Sequence, residues 1–439
     1  MAMQRNKLGD LLAGNILLRL LNIICGVLIT LILTRLMGTA GYGTLSLLIA
    51  NAALFNLLTC MGAESGIVYH YSSGRLNKSS IISIVYFVLF IQALLLFVVE
   101  AVYKNYTGSY WIIEGDANSF LIWGLAYFIS IALTDKYTAL LNAAHYYTLA
   151  NKLILAGNLV TVLVFMSCII WRRESIVLYL QLYIACAILQ AIILLAFFHL
   201  RTGQGLKFGP LAGQWKAFFS YSGIVLITNI IQFLAYRIDY WIIDYYHDKN
   251  ELGLYSLAVK FGQMLWFLPL LLAGILFPRI AGKADPGEEQ RWEVLIRLMM
   301  SGFFVCIILS GLLSFWLIPL LAGEDFSGSV WPFINRLPGL LFFCYNIIFA
   351  AYFAGISKLN INLRGSVLCL ALVVIADFIL IPRWGATGAS LASTIAYTAA
   401  GFHHLYMYAK IKNVSLFSMI TANRDDWKIA VAYLGKYLK

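Results

Sequence analysis

The sequence predicts an all-α integral membrane protein: twelve transmembrane helices in two six-helix lobes around a central cavity. Three observations carry that reading. Hydrophobic residues fill 62% of the 439 positions and charged residues only 12%, against roughly 25% charged in an ordinary soluble domain. The apolar residues fall in runs near the roughly 20 residues that a helix needs to cross a bilayer. The pattern also recurs: Gly43, within Gly41-Tyr42-Gly43-Thr44-Leu45-Ser46-Leu47, matches Gly253, within Leu252-Gly253-Leu254-Tyr255-Ser256-Leu257, at an offset of 210. Ala143-Ala144 matches Ala354-Gly355, and Asn151 matches Asn362, both at 211. A unit written twice makes a site between its copies, an architecture suited to alternating access.

The spans follow in order. The first, 11–34, has no small-residue cleavage site and is too long for a signal peptide, so it stays as helix one. Spans 41–62, 81–103, 119–141, 153–171 and 176–199 complete the first lobe, residues 1–205. Spans 217–243, 252–276, 298–321, 338–356, 366–381 and 388–408 form the second, residues 206–412. Helices are required because lipid offers no partner to an unpaired backbone amide; no run alternates as a barrel strand would. Pro269 and Pro319 fall inside spans, where proline kinks a helix. Residues 413–439 form a tail in which Trp427, Val431, Leu434 and Leu438 recur at helical spacing. That spacing fits a helix lying on the membrane surface and equally an ordinary solvated end.

Basic residues set the orientation. A cytoplasmic N-terminus places 20 Lys and Arg on the inner side and seven on the outer, namely Arg35, Lys104, Arg172, Arg173, Lys249, Arg336 and Arg383. The connections are short, so the positive-inside rule applies, with both termini cytoplasmic. The net charge of +11 then reports topology and contact with anionic membrane lipids, and nucleic acid is not an expected partner.

Enzyme chemistry finds little support. All seven cysteines lie in spans without close pairs, as buried small apolar residues do. The histidines are scattered, and no nucleophile elbow, phosphate loop or metal-ligand spacing occurs. No cofactor is expected beyond a coupling proton or sodium ion. The longest connections, about 199–216, 277–297 and 322–337, are too short for the loop that a membrane-embedded polymerase usually presents.

The chemistry must therefore lie in polar groups within the spans, where a charge costs roughly 2.5–3.5 kcal/mol or more and usually faces the bundle interior. Asn15, Arg19, Asn22 and Gly26 share one face of the first span. Arg19 lies about 12 Å from the inner end at 1.5 Å per residue. It can face a cavity or snorkel to the headgroups; its asparagine neighbours favour the cavity. At the 210 offset Arg19 matches Asn229 and Asn22 matches Gln232, and span seven carries Ser222, Asn229, Gln232, Tyr236 and Asp239 on one face. Span eight adds Ser256, Lys260 and Gln263. Arg237 points off the Asp239 face, nearer the outer surface, which favours snorkelling. Asp239 could pair with Lys260 as a gate or structural ion pair. Asp135 and Lys136, adjacent in span four, diverge by about 100° and form no simple pair. Asp377 could be a coupling carboxylate, or could cap a helix end.

Over its whole length the chain resembles bacterial lipid-linked oligosaccharide flippases for O-antigen or capsule repeat units, in the multidrug/oligosaccharidyl-lipid/polysaccharide exporter superfamily. The residues carrying the resemblance are Leu33-Thr34-Arg35-Leu36-Met37-Gly38 with Tyr42-Gly43, Gly253-Leu254-Tyr255-Ser256, and Leu276-Phe277-Pro278-Arg279-Ile280. Ala354-Gly355 and Ile381-Pro382-Arg383-Trp384-Gly385-Ala386-Thr387-Gly388-Ala389 complete the set. The resemblance implies a cationic cavity, inward-open and outward-open states, and an undecaprenyl-pyrophosphate-linked oligosaccharide as cargo in the bacterial inner membrane. Arg19 and Lys260, with Arg237, would neutralise the pyrophosphate. Asn15, Asn22, Asn229, Gln232 and aromatics such as Tyr236, Tyr240 and Tyr345 would meet the sugars. Asp239, Asp135, Lys136 and Asp377 are the gating or ion-coupling candidates. A polysaccharide polymerase and a chain-length regulator are the protein partners of that reading. Twelve spans lack the extra pair of lipid II flippases. The alternatives are a cation-coupled multidrug extruder of the same superfamily, which would need cavity acids, and a membrane-embedded glycan polymerase.

Overall fold

A computed structural model describes residues 2–426 other than Arg75, Asp116, 172–174, 204–214, 282–285, Thr421 and 423–425. Its helices are α1 (Ala2–Thr59), α2 (Ala63–Ser73), α3 (Lys78–Thr107), α4 (Asn118–Ala143), α5 (Tyr147–Trp171), α6 (Ile176–Thr202) and α7 (Trp215–Tyr246). There follow α8 (Lys249–Leu265), α9 (Phe267–Ala281), α10 (Pro286–Ala322), a 3-10 turn (Glu324–Ser329), α11 (Val330–Gly355), α12 (Leu359–Lys412) and α13 (Leu416–Ile420). Among the described residues nine helical spans are long and apolar enough to cross a membrane, α8 with the start of α9 counting as one. Two of them break once, at Gly38 (φ 64°) and Gly385 (φ 50°). With each counted as two segments, and α7 added, the segments number twelve, as the sequence predicts.

The two breaks give a physical reason for two motif glycines. A positive φ is strained for a residue with a Cβ and open to glycine. At Gly385 the break is also held: Glu251 Oε2 accepts the Ala386 N–H at 2.9 Å, and His247 Nε2 lies 2.7 Å from the Ile381 carbonyl. Elsewhere hydroxyls inside apolar helices turn back on their own backbone, as Thr30 does to the Gly26 carbonyl (2.9 Å) and Thr44 to that of Ala40 (3.0 Å). Lipid thus meets no unpaired hydroxyl there.

The chain packs as two compact units, Met1–Ile230 and Ile231–Lys439. In lipid the surroundings are as apolar as the side chains, so close packing and interhelical hydrogen bonds hold each unit together. In the first unit α1 packs along α5 and α4 along α6. Its core includes Ile67, Ile81, Ile84, Leu140, Leu194, Phe198 and Phe218. Asparagines zip α1 to α5: Asn151 Nδ2 donates to Asn15 Oδ1 (3.3 Å), Asn22 Nδ2 to the Asn151 carbonyl (3.2 Å), and Asn158 Nδ2 to Asn22 Oδ1 (3.1 Å). Near the far end of α3, buried Glu100 accepts the Trp111 and Ile112 N–H groups at 2.8 Å each and pins the loop after the helix.

In the second unit α11 packs against α12, α9, α8 and α10. The internal repeat is visible in geometry. The α4–α5 turn closes with Ala144 N–H on the Leu140 carbonyl (2.9 Å) and Tyr146 N–H on that of Leu141 (2.8 Å), around His145 at φ 64°. The α11–α12 turn closes alike, with Ile356 N–H on Tyr352 (3.1 Å) and Lys358 N–H on Phe353 (2.8 Å), around Ser357 at φ 60°. Ser357 stands 212 positions after His145, one more than the sequence match implies.

Several expectations need correction. Arg336, placed by the sequence in an outer connection, lies inside α11 and is 1% exposed. The polar stretch from Gly323 to Ser329 hid a helix that starts at Val330 rather than 338. Six of the seven basic residues that the sequence assigns to the outer side then remain in that assignment. Span 252–276 is two helices that part at Trp266, and Pro269 sits harmlessly in the first turn of α9. Helix α10 runs through Pro319 and ends soon after, at Ala322. The apolar positions Trp427, Val431, Leu434 and Leu438 lie outside the described residues. Just before them Asp426 takes two hydrogen bonds from Arg297, Nε at 2.9 Å and Nη2 at 2.8 Å, tying the tail to α10.

Candidate functional site

The most concentrated chemistry of the second unit surrounds Arg336. Its Nη1 donates to the Tyr255 hydroxyl (2.6 Å) and to Ser393 Oγ (3.1 Å), and its Nη2 donates to the Tyr397 hydroxyl (3.0 Å). The guanidinium also lies 5.2 Å from the centroid of the Tyr397 ring. Tyr255 in turn donates to Asp239 Oδ2. Helices α7, α8, α11 and α12 thus meet at one buried charge. Asp377, on α12, is wholly buried within electrostatic reach of Asp239 and Arg336. Among the described residues neither Asp377 oxygen has a hydrogen-bond partner, nor does Asp239 Oδ1. An arginine fork that bridges three hydroxyls, with carboxylates close by, can hold helices together and can exchange a proton or cation.

Beside this cluster stand Tyr236, Trp266, Phe343 and Tyr397, with ring centroids 4.6 Å apart for Phe343 and Tyr397 and 5.5 Å for Tyr236 and Trp266. Gln232 donates to the Tyr236 hydroxyl, and Ser366 Oγ lies 3.5 Å from Gln232 Oε1. Arg237 donates to the Tyr240 hydroxyl and lies 4.7 Å from its ring centroid. Lys260 is half-buried and within electrostatic reach of Arg237.

The first unit has a relay of another kind. Lys136, with no exposed surface, donates to Gln92 Oε1 at 2.7 Å. Gln92 Nε2 donates to Asn56 Oδ1 and to Thr59 Oγ1, both at 3.0 Å. Asn56 Nδ2 donates to Asp135 Oδ2 at 2.8 Å, and that carboxylate is exposed. Asp135 and Lys136 diverge as the sequence predicts, yet a chain of two amides connects them. Glu64, 31% exposed, lies 4.0 Å from the Lys136 ammonium.

The candidates from the sequence therefore separate. Arg19 and Asn229 are exposed, and Gln232, Tyr236, Arg237 and Lys260 are half-buried. Neither Arg19 nor Lys260 has a carboxylate within ion-pair distance among the described residues. Asn15 and Asn22 spend amide atoms on α5, so they act as helix contacts. Tyr240 and Tyr345 are 3% and 2% exposed, which withdraws them from the sugar-facing set. Asp239 takes Tyr255 where Lys260 was expected, and Asp377 caps no helix end. The side chain of Ser222 lies outside the described residues. Sequence reasoning missed Arg336, Tyr255, Tyr397, Ser393, Glu64, Gln92 and Asn56. Gln92 was findable, as a lone amide in an apolar span.

Comparison with known proteins places this fold. The relatives include the capsular polysaccharide biosynthesis protein CapF of Staphylococcus aureus, 27% identical over 173 residues, 37% of this chain and 43% of that protein. Another is the probable low-salt glycan biosynthesis flippase Agl15 of Haloferax volcanii, 20% identical over 208 residues, 45% of this chain and 43% of that protein. The matches span less than half the length of these relatives. Among solved structures, the lipid II flippase MurJ in an inward closed conformation superposes with a TM-score of 0.72 at 14% identity, over 96% of this chain and 92% of that one. The Vibrio cholerae MATE transporter VcmN superposes at 0.63 and 12% identity, over 93% of this chain and 99% of that one. At these identities the likeness is one of fold, and the twelve-span count does not set the chain apart from MurJ at that level. A family model described as "Polysaccharide biosynthesis protein" matches residues 32–331, more than half of the sequence, and the chain belongs to that family.

Proposed function

We propose that the protein flips polyprenyl-pyrophosphate-linked oligosaccharide repeat units from the cytoplasmic to the outer face of a bacterial inner membrane, by alternating access, for surface polysaccharide synthesis. The family, the glycan-related relatives and the exporter-like fold support the class. The observation that carries the cargo is the accessibility of two cations in the polar spans, Arg19 and Lys260, which have no carboxylate within ion-pair distance among the described residues. Lys260 has the like charge of Arg237 within reach, Arg237 has Asp239 in reach as well, and Arg19 stands exposed with no carboxylate at ion-pair distance among the described residues. Like charges brought together in a membrane cost free energy unless an anion joins them. A pyrophosphate supplies that anion, with Arg19 offering a planar fork and Lys260 a point charge. Asn229, Gln232 and Tyr236 offer amides and a ring to the sugars, while the polyprenyl tail stays in lipid.

On this reading both termini are cytoplasmic. The charged groups for coupling to a proton or sodium gradient are Asp239 and Asp377 in the second unit, and Asp135 with Lys136 in the first. A polymerase and a chain-length regulator would act on the flipped product. One observation favours the drug-extruder reading: Asp135 presents an exposed carboxylate that could hold a cationic substrate.

Deletion of the gene tests both readings. The flippase reading expects lipid-linked repeat units to accumulate on the cytoplasmic face and surface polymer to disappear, with drug sensitivity unchanged. Normal polymer abundance and length in a strain without a second flippase contradicts it. Drug resistance on overexpression would favour the extruder.

A further inference from the structure

One cavity of the first unit is lined by none of the candidate site residues named above. Its volume is about 460 Å³, and its lining includes Tyr71, Lys78, His145, Tyr146, Arg201 and Thr202, within the roughly 300–1,000 Å³ of small-molecule sites. Five helix ends surround it: α2 stops at Ser73, α3 starts at Lys78, α4 stops at Ala143 and turns into α5 around His145, and α6 stops at Thr202. Among the described residues the lining holds the cations Lys78 and Arg201, the imidazole of His145, two tyrosines, and Ser72 and Thr202, whose hydroxyls turn back on their own helices, and it holds no carboxylate. Lys78 and Arg201 are exposed, and neither has an ion-pair partner among the described residues. The Lys78 ammonium is held 5.2 Å from the centroid of the Tyr71 ring. Among the described residues Asn77 caps α3 without a side-chain hydrogen bond; the Ser80 N–H donates to the Asn77 carbonyl at 3.0 Å, and the N–H groups of Lys78 and Ser79 before it are the ones that helix geometry leaves open to an anion.

The surroundings say which anion. Leu200 is 77% exposed and Tyr147 47% exposed beside the pocket, and an apolar residue and a tyrosine at helix ends match the level of lipid headgroups. These ends also carry inner-side basic residues of the proposed topology. We propose that this pocket binds the phosphodiester headgroup of an anionic phospholipid from the cytoplasmic leaflet. Lys78 and Arg201 would clasp the phosphate, the Tyr71 hydroxyl would complete its hydrogen bonds, Tyr146, whose hydroxyl donates to the Arg201 carbonyl at 3.5 Å, would help to place that arginine, and the acyl chains would lie along α6. Basic pockets between transmembrane helices commonly bind such headgroups. The site is independent of the cargo and would be filled whether or not transport is under way.

Thermal stability of the purified full-length protein in detergent tests this, with dioleoyl-phosphatidylglycerol, dioleoyl-phosphatidylcholine or inorganic phosphate added. Phosphatidylglycerol should raise the wild-type Tm by about 2 °C or more, with phosphatidylcholine and millimolar phosphate leaving it unchanged. Lys78→Gln with Arg201→Gln should abolish that rise, whereas Lys358→Gln with Lys410→Gln, which removes two basic charges elsewhere, should keep it. Native mass spectrometry gives a second readout: the wild type should retain phosphatidylglycerol at least about tenfold better than the Lys78→Gln, Arg201→Gln variant. If the double variant does not accumulate, each single variant should show a reduced shift and reduced retention. An undiminished phosphatidylglycerol shift in the variants overturns the proposal. So does an equal shift with inorganic phosphate alone, which would make the pocket a site for a soluble phosphate.

Discussion

Arg336 is a buried cation whose neighbours are chosen for it: three hydroxyls within hydrogen-bond distance, and Asp239 one hydroxyl away. Removing one member of a buried charged network leaves the other uncompensated, at a cost of about 3–5 kcal/mol. Arg336→Ala should therefore lower thermal stability sharply. Arg336→Ala combined with Asp239→Asn should cost less than the sum of the two single changes, as a double-mutant cycle followed by thermal unfolding would show. Additive losses would mean that the two groups do not act together. Arg19 and Lys260 differ in kind, because among the described residues no carboxylate stands within ion-pair distance of either. Alanine at either should leave accumulation intact and reduce export at least about tenfold, the loss of one charge-assisted contact of about 1.5–3 kcal/mol. Arg19→Lys should retain partial activity, since the charge survives and the fork does not. Complementation of a deletion strain, with protein amount checked by immunoblot, measures both.

Helix ends and breaks decide how these residues are presented. At Gly385 a Cβ would both adopt a φ of 50° and approach Glu251 Oε2 to 2.7 Å, so Gly385→Ala should destabilise by more than the roughly 1 kcal/mol of conformational strain alone. Gly38→Ala meets no neighbour within 4 Å and should cost the strain only. Asp248 caps α8 by accepting the Glu251 N–H at 2.9 Å, a bond that holds its carboxyl below the usual carboxylate range. A depressed folded-state pKa gives stability that is present above the unfolded value of about 3.9 and is lost as pH falls through the folded one. The Tm difference between wild type and Asp248→Ala should thus be present at neutral pH, near 1 kcal/mol for a lost cap, and shrink in strong acid. An undiminished gap there would contradict the charged cap. The elements were largely legible in the sequence, because lipid forces long apolar runs into helices. Polar segments were not: Gly323–Ser329 reads as a loop, so α11 and its Arg336 were displaced outward. The Asn15 and Asn22 stripe was read correctly as one face, but one sequence cannot tell whether a polar face meets a cavity or a partner helix. Asn151 and Asn158 on α5 decide that.

At the scale of the whole molecule the chain is a membrane protein of doubled design, and the proposed topology places most of its basic residues on the cytoplasmic side. Cysteines introduced at Gly108, Asp248 and Glu324, in a background without the seven native cysteines, should react with an impermeant thiol reagent from outside the cell. Labelling of any of them only from the cytoplasm would invert the proposed topology. The central claim, that the protein carries a lipid-linked glycan across the bilayer, is tested most directly in proteoliposomes. They would contain the purified protein and a polyprenyl-pyrophosphate-linked oligosaccharide whose exposure on each leaflet is read by a membrane-impermeant glycosidase. The account predicts that wild-type protein moves the glycan to the opposite leaflet much faster than protein-free vesicles, and that the Arg19→Ala, Lys260→Ala variant inserts normally but does not. Equal rates with and without the wild-type protein would contradict the flippase, and equal rates for wild type and variant would contradict the cationic site.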